Sequence, residues 1–207
     1  MPGPQLQTTA LILARQLSGS DNFEQLTAFC PEHGVLACLR RLSTKKAATA
    51  APPLDLFDEA ELWLESSNQG RTWFVREHRL VHRPAGVGRS YDALRCAAAL
   101  ARLVARNPVG DDSRRPVAAL LRQTFAALAA GGRPDVVWLK AIYRFLRDEG
   151  YPVKQHWWPQ LPAADRAAAT QILNHAIAGQ NPASETVAKL TRRLEDWLRA
   201  ETELRLD

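Results

Sequence analysis

The chain has 207 residues, 46% of them hydrophobic and 24% charged, the balance of a folded protein with one large domain or two small ones. No run of about 18 apolar residues is present and MPGPQLQTT lacks the basic-then-apolar layout of a leader, so neither a membrane span nor secretion is expected. Cys30, Cys38 and Cys96 are too few and too scattered for a disulfide framework or a structural zinc site, which points to the cytoplasm, and the net charge of +5 favours polyanionic partners only mildly.

The first part of the chain reads as β-structure. Thr9, Leu11 and Leu13 alternate with Ala10, Ile12 and Ala14, a strand apolar on both faces. A polar turn at Ser20-Asp21 leads to a second strand ending in Phe29. Glu32-His33-Gly34 then turns the chain into a third, where Val35, Ala37 and Leu39 alternate with Leu36, Cys38 and Arg40. Ala60, Leu62 and Leu64 alternate with Glu61, Trp63 and Glu65. Ser66-Ser67-Asn68-Gln69-Gly70 is a hairpin turn by composition, and Trp73, Phe74 and Val75 lie in a fifth strand. Five short strands in about 80 residues fit an OB-type barrel, with a small SH3-like barrel as the alternative.

The composition changes near Pro84-Ala85-Gly86-Val87-Gly88. Apolar stripes at helical spacing follow over 94–104, 120–128, 138–146, 169–177 and 187–198, separated by Asn107-Pro108, Gly131-Gly132, Gly150 with Pro152, and Asn181-Pro182. The expected architecture is α+β: an OB-fold barrel over 1–83 and an all-helical domain over 90–207.

No residue set suggests catalysis. The five histidines do not form a metal-ligand pattern; His78 and His82, four apart in a strand or turn, would not share a helical face. Gly86-Val87-Gly88 lacks the strand, third glycine and Lys-Ser/Thr of a phosphate loop. Cys30 reads as a small core residue. Neither a metal nor a cofactor is expected.

The strongest positive signal is Arg40, Arg41, Lys45 and Lys46, four cations within seven residues at the mouth of the expected barrel. Residues 1–90 hold 10 Lys+Arg against 9 Asp+Glu, so these cations must act as a local patch if they act at all. Each phosphate contact releases condensed counterions, so such a patch would bind nucleic acid without regard to sequence. Arg15, Arg71 and Arg76 are candidates to extend it into one groove. Trp63, Trp73 or Phe74 could stack unpaired bases, although strand-spaced aromatics also serve as core. In the helical half, Lys140, Arg144 and Arg147 recur at i, i+4 and i+7 beside Trp138, Leu139 and Ile142. A cationic rim around an apolar pocket would suit an acidic, hydrophobic tail. An ordinary amphipathic helix has the same pattern.

The order of these pieces resembles the RecO family of bacterial recombination mediators. The likeness runs over about 190 residues: the opening strands, the basic stretch Cys38–Lys46, the Pro52–Phe57 strand entry, the helix Trp138–Pro152 ending in Gly150-Tyr151, and the closing Arg199–Leu204. It implies an OB-fold that binds single- and double-stranded DNA, strand annealing, help in loading RecA, and cytoplasmic, nucleoid-associated work in DNA repair. The implied partners are RecR and the acidic tail of single-stranded-DNA-binding protein; no catalysis is implied. Two features depart from the pattern. Residues 152–165 contain no cysteine where many members carry a four-cysteine zinc module, and they read as a nearly direct connection to the next helix. Leu39 and Leu42 flank the arginines where the family has Lys-Gly-Ala-Arg. A diverged protein-interaction module without DNA binding is the alternative. An enzyme acting on nucleic acid is a third reading without a residue set to support it.

Overall fold

The structure, a computed structural model, describes residues 3–17, 22–42 and 52–206. Lys45 and Lys46 lie outside the described residues. Five strands, β1 (Gln5–Leu17), β2 (Phe23–Cys30), β3 (Gly34–Arg41), β4 (Glu59–Glu65) and β5 (Trp73–His82), form a closed barrel in the order β1-β2-β3-β5-β4. Neighbours are antiparallel except β3 and β5, which run parallel through three residue pairs, Cys38 with Trp73, Leu39 with Phe74 and Arg40 with Val75. This is an OB-type order, and it decides against the SH3-like alternative.

Alternation builds the barrel core. Ala10, Ile12, Leu26, Ala28, Leu36, Cys38, Ala60, Leu62 and Leu64 point inward and are buried. β1 departs from strict alternation because the register against β2 slips between Ile12 and Ala14, a bulge that gives Leu13 no partner. Leu11, Ile12 and Leu13 are consecutively buried, which explains the two-faced apolar run. The stretch before β4 is bound to the same place: Phe57 N–H donates to the Ile12 carbonyl and Ile12 N–H to the Asp58 carbonyl, both at 2.8 Å. The carboxylate of Asp58, fully buried, receives Arg83 Nε at 2.8 Å and Nη2 at 2.6 Å. A buried carboxylate is tolerated when it is paired and hydrogen-bonded in this way.

The helices are α1 (Tyr91–Arg106), α2 (Arg114–Ala129), α3 (Pro134–Asp148), α4 (Val153–Gln160), α5 (Ala163–Asn174) and α6 (Ser184–Glu201). The chain divides into two compact units, one of residues 1–84 and 108–118, the other of 85–107 and 119–207. In the second, Leu139, Ile142, Tyr143 and Leu146 of α3 pack with Trp157 of α4, Ile172 of α5 and Leu190, Leu194 and Trp197 of α6. Asn107, just past α1, donates to the Arg205 carbonyl and accepts from the Arg205 N–H, fastening the last residues.

Two helical features differ from expectation. α4 lies within 152–165, read as a connection: Pro159 and weak apolar periodicity hide it, and two tryptophans anchor it. The fourth stripe, drawn to residue 177, ends at Asn174, where Lys140 and Gln180 between them take the carbonyls of Ile172, Leu173, His175 and Ala176.

Candidate nucleic-acid interface

Strand parity decides where the predicted cations go. On β3, Arg40 shares the inward parity of Leu36 and Cys38, and Arg41 shares the outward parity of Val35, Ala37 and Leu39. Arg40 accordingly turns into the end of the barrel. Its side chain is 11% exposed and pairs through Nε with Oε1 of Glu24, whose side chain is fully buried. Arg15 lies opposite Leu26, an inward position after the β1 bulge, and its Nε donates to the other Glu24 oxygen at 2.8 Å. Arg15 and Arg40 are thus held by one buried carboxylate. This corrects the expectation that Arg40 is displayed to phosphates: it is a structural residue of the barrel end.

Arg41 stands on the outer face without a carboxylate partner among the described residues. It helps line a groove of about 500 Å³ with Phe23 of β2, Leu39 of β3, Glu65, Ser66 and Ser67 at the β4–β5 turn, and Phe74, Val75 and Arg76 of β5. The register explains the assembly. Phe23 lies directly across from Arg41, Leu39 across from Phe74, and Phe74 across from Glu65. These outward side chains form one band across four strands. Phe23 and Phe74 meet edge to face with centroids 6.4 Å apart, which leaves a half-exposed aromatic floor.

Arg76 reaches the groove through a second bulge. The register of β4 against β5 slips between Trp63 and Leu64, so Arg76 has no partner across the ladder. Its Nε donates to Oε2 of Glu65 at 2.7 Å, while its side chain stays 64% exposed. The turn below is built by Ser66, whose Oγ accepts from the N–H groups of Asn68 and Gly70; Gly70 supplies the positive φ of 85°. Arg71, in the same connection, is exposed but does not line the groove. Trp73 packs against the barrel core, whereas Trp63 faces outward into an adjoining groove with Gln5, Gln7, Arg76 and Glu77.

Sequence reasoning named Arg41, Arg76 and Phe74 but missed Phe23 and Glu65. The alternation of Phe23 with the inward Glu24 and Leu26 is the signal that would have found Phe23.

In the helical unit, a second pocket of about 500 Å³ is lined by Lys140, Tyr143, Arg144 and Arg147 of α3, Lys154 and Trp158 of α4, and Thr170, Leu173 and Asn174 of α5. The three predicted cations therefore share one cavity. Lys140 is already engaged, however: its Nζ donates to the carbonyls of Ile172, Leu173 and His175, and burial with the nearby Arg144 lowers its pKa. Arg144 reaches Gln123, and Arg147 pairs with Asp148. Leu139, 1% exposed, is core, and Trp138 packs on the core and donates to Glu195 at 2.9 Å. Neither lines the pocket; Tyr143, Trp158 and Leu173 supply its apolar wall. Trp158 and Lys154 escaped notice because α4 did.

Among the described residues, no three of His, Cys, Asp and Glu come together as a metal site, and no helix is long and apolar enough to cross a membrane. No family model matches the sequence, and no curated protein is significantly similar to it.

Proposed function

We propose that this protein binds DNA through the outer groove of its barrel and acts as a RecO-like mediator in DNA repair, annealing strands and helping to load RecA in the bacterial cytoplasm, at the nucleoid. The observation that carries the reading is the groove itself. Two half-exposed phenylalanines and two outward arginines lie across β2, β3 and β5 beside the β4–β5 turn, the face on which OB barrels hold oligonucleotides. Aromatic faces accept any unpaired base, and Arg41 and Arg76 would meet the backbone. Duplex would be held by phosphate contacts alone. The helical pocket, with Arg144, Arg147 and Lys154 around Tyr143 and Trp158, would take the acidic, hydrophobic tail of single-stranded-DNA-binding protein. RecR is the other partner in this reading, and neither a cofactor nor catalysis enters it.

The test is a titration with labelled single-stranded DNA at several salt concentrations. Each phosphate contact on a single strand contributes about −0.7 to the slope of log K against log salt. Arg41→Ala should therefore flatten the slope by about that amount, and Arg40→Ala should leave it unchanged. Absence of binding at low salt would end the DNA reading. In that case the second reading stands, a protein-interaction module. It is favoured by one observation: Arg15, Arg40 and Arg76 are all paired with carboxylates.

A further inference from the structure

The groove contains a carboxylate where a purely phosphate-binding surface would not. Glu65 is directly across from Phe74 on the outward face, so the two side chains are cross-strand neighbours, with Cβ atoms about 5 Å apart by the usual spacing. Its Oε2 accepts from Arg76 at 2.7 Å, and Oε1 has no partner among the described residues. The side chain is 28% exposed, enough to be reached and sheltered enough to matter. A base stacked on the Phe74 ring would present its hydrogen-bonding edge to this oxygen.

An ionised carboxylate only accepts hydrogen bonds. It suits the exocyclic amino group of cytosine and repels the carbonyl oxygens that flank the single N–H of thymine. The same negative charge keeps the backbone off the Glu65 edge, which leaves phosphates to Arg41 and to the exposed Arg76. From this geometry we infer that Glu65 is a base-selecting residue: the groove prefers unpaired bases carrying an exocyclic amine over thymine or uracil. The inference rests on the nucleic-acid reading of the groove and adds a base preference that stacking alone does not give.

The experiment compares labelled 15-nucleotide dC and dT strands on the full-length protein at low salt and pH 8, where cytosine is unprotonated. Both are pyrimidines of similar stacking area, so the ratio of affinities isolates the edge contact. A single charged contact at a partly exposed site belongs at the low end of base discrimination, giving dC an advantage of about fivefold. Glu65→Gln keeps the size of the side chain but can both donate and accept, so the ratio should fall to about one, even if freeing Arg76 tightens binding to both strands. Phe74→Ala should weaken both strands. Equal affinity for dC and dT in the unaltered protein overturns the inference while the groove reading survives. A dC preference that persists in Glu65→Gln, or that is untouched along with affinity in Phe74→Ala, places the selection elsewhere and also overturns it. Failure of both strands to bind the unaltered protein removes the nucleic-acid reading itself.

Discussion

Replacing Arg40 with alanine separates the two roles that its position in a basic stretch allows. The guanidinium is 11% exposed and faces Glu24, whose carboxylate is fully buried. Its removal leaves Oε1 of Glu24 without its ion-pair partner, while Arg15 stays on the other oxygen at 2.8 Å. Breaking a buried pair from one side costs about 3–5 kcal/mol; with one arginine retained, the lower end applies, about 3 kcal/mol. At about 1.4 kcal/mol per factor of ten, amides of β2 and β3 should lose roughly two decades of protection from hydrogen exchange. Native-state exchange read by mass spectrometry on peptides from 23–41 measures this in the intact chain. The double substitution Glu24→Leu with Arg40→Leu replaces the buried pair by an apolar one of similar volume and should recover most of the loss, because Arg15, the third charge, is 37% exposed and keeps Asp55 at 3.8 Å. Unchanged protection in Arg40→Ala, with DNA affinity falling instead, would refute the assignment of Arg40 to the barrel interior.

Other expectations follow from the same geometry. Phe23→Ala should weaken single-stranded DNA binding by about 1–3 kcal/mol in an anisotropy titration, the usual worth of a base–aromatic stack. Duplex affinity should change far less. Cys38 is buried beside Cys30, and desolvation pushes its pKa from 9.0 up to about 12. The unfolded chain would therefore release this proton first, so stability should fall as pH rises from 9 towards 12, by up to about 1.4 kcal/mol per pH unit. Urea unfolding across that range should show a steeper decline in the native protein than in Cys38→Ala, where Cys96, pushed by burial up to about 11, still contributes in the same sense. Lys140→Met removes the donor shared by three carbonyls at the end of α5 and should destabilise the helical unit by about 1–3 kcal/mol, seen as faster exchange in peptides covering 169–175.

The sequence made the two halves legible because their periods differ: alternation before Pro84, a helical stripe after it. What it hid depended on register. Arg40 and Arg41 are adjacent in a cationic run, yet one closes the barrel interior and the other faces out; only the parity set by Leu36 and Cys38 tells them apart. Bulges at Leu13 and Arg76 reverse that parity mid-strand, and no residue type announces them. The groove is composite for the same reason. Phe23 and Phe74 are 51 positions apart and meet only through the intervening β3. On the helical side, the i, i+4, i+7 spacing on α3 did bring three cations to one cavity, but the opposite wall comes from a proline-containing helix with little amphipathic pattern.

The parallel pairing of β3 with β5 gives the groove a folding history. It joins Cys38–Arg40 to Trp73–Val75, contacts 35 residues apart in sequence that carry the largest loop-closure cost in the barrel after the β1–β4 pairing. Leu39 and Arg41 lie on one side of this seam, and Phe74 and Arg76 on the other. The groove is therefore absent until the seam shuts, and among the described residues three pairs shut it. A strand of DNA lying across it would act as a suture, so occupancy should slow exchange at the seam more than anywhere else in the barrel, linking cargo to the closure of the fold itself.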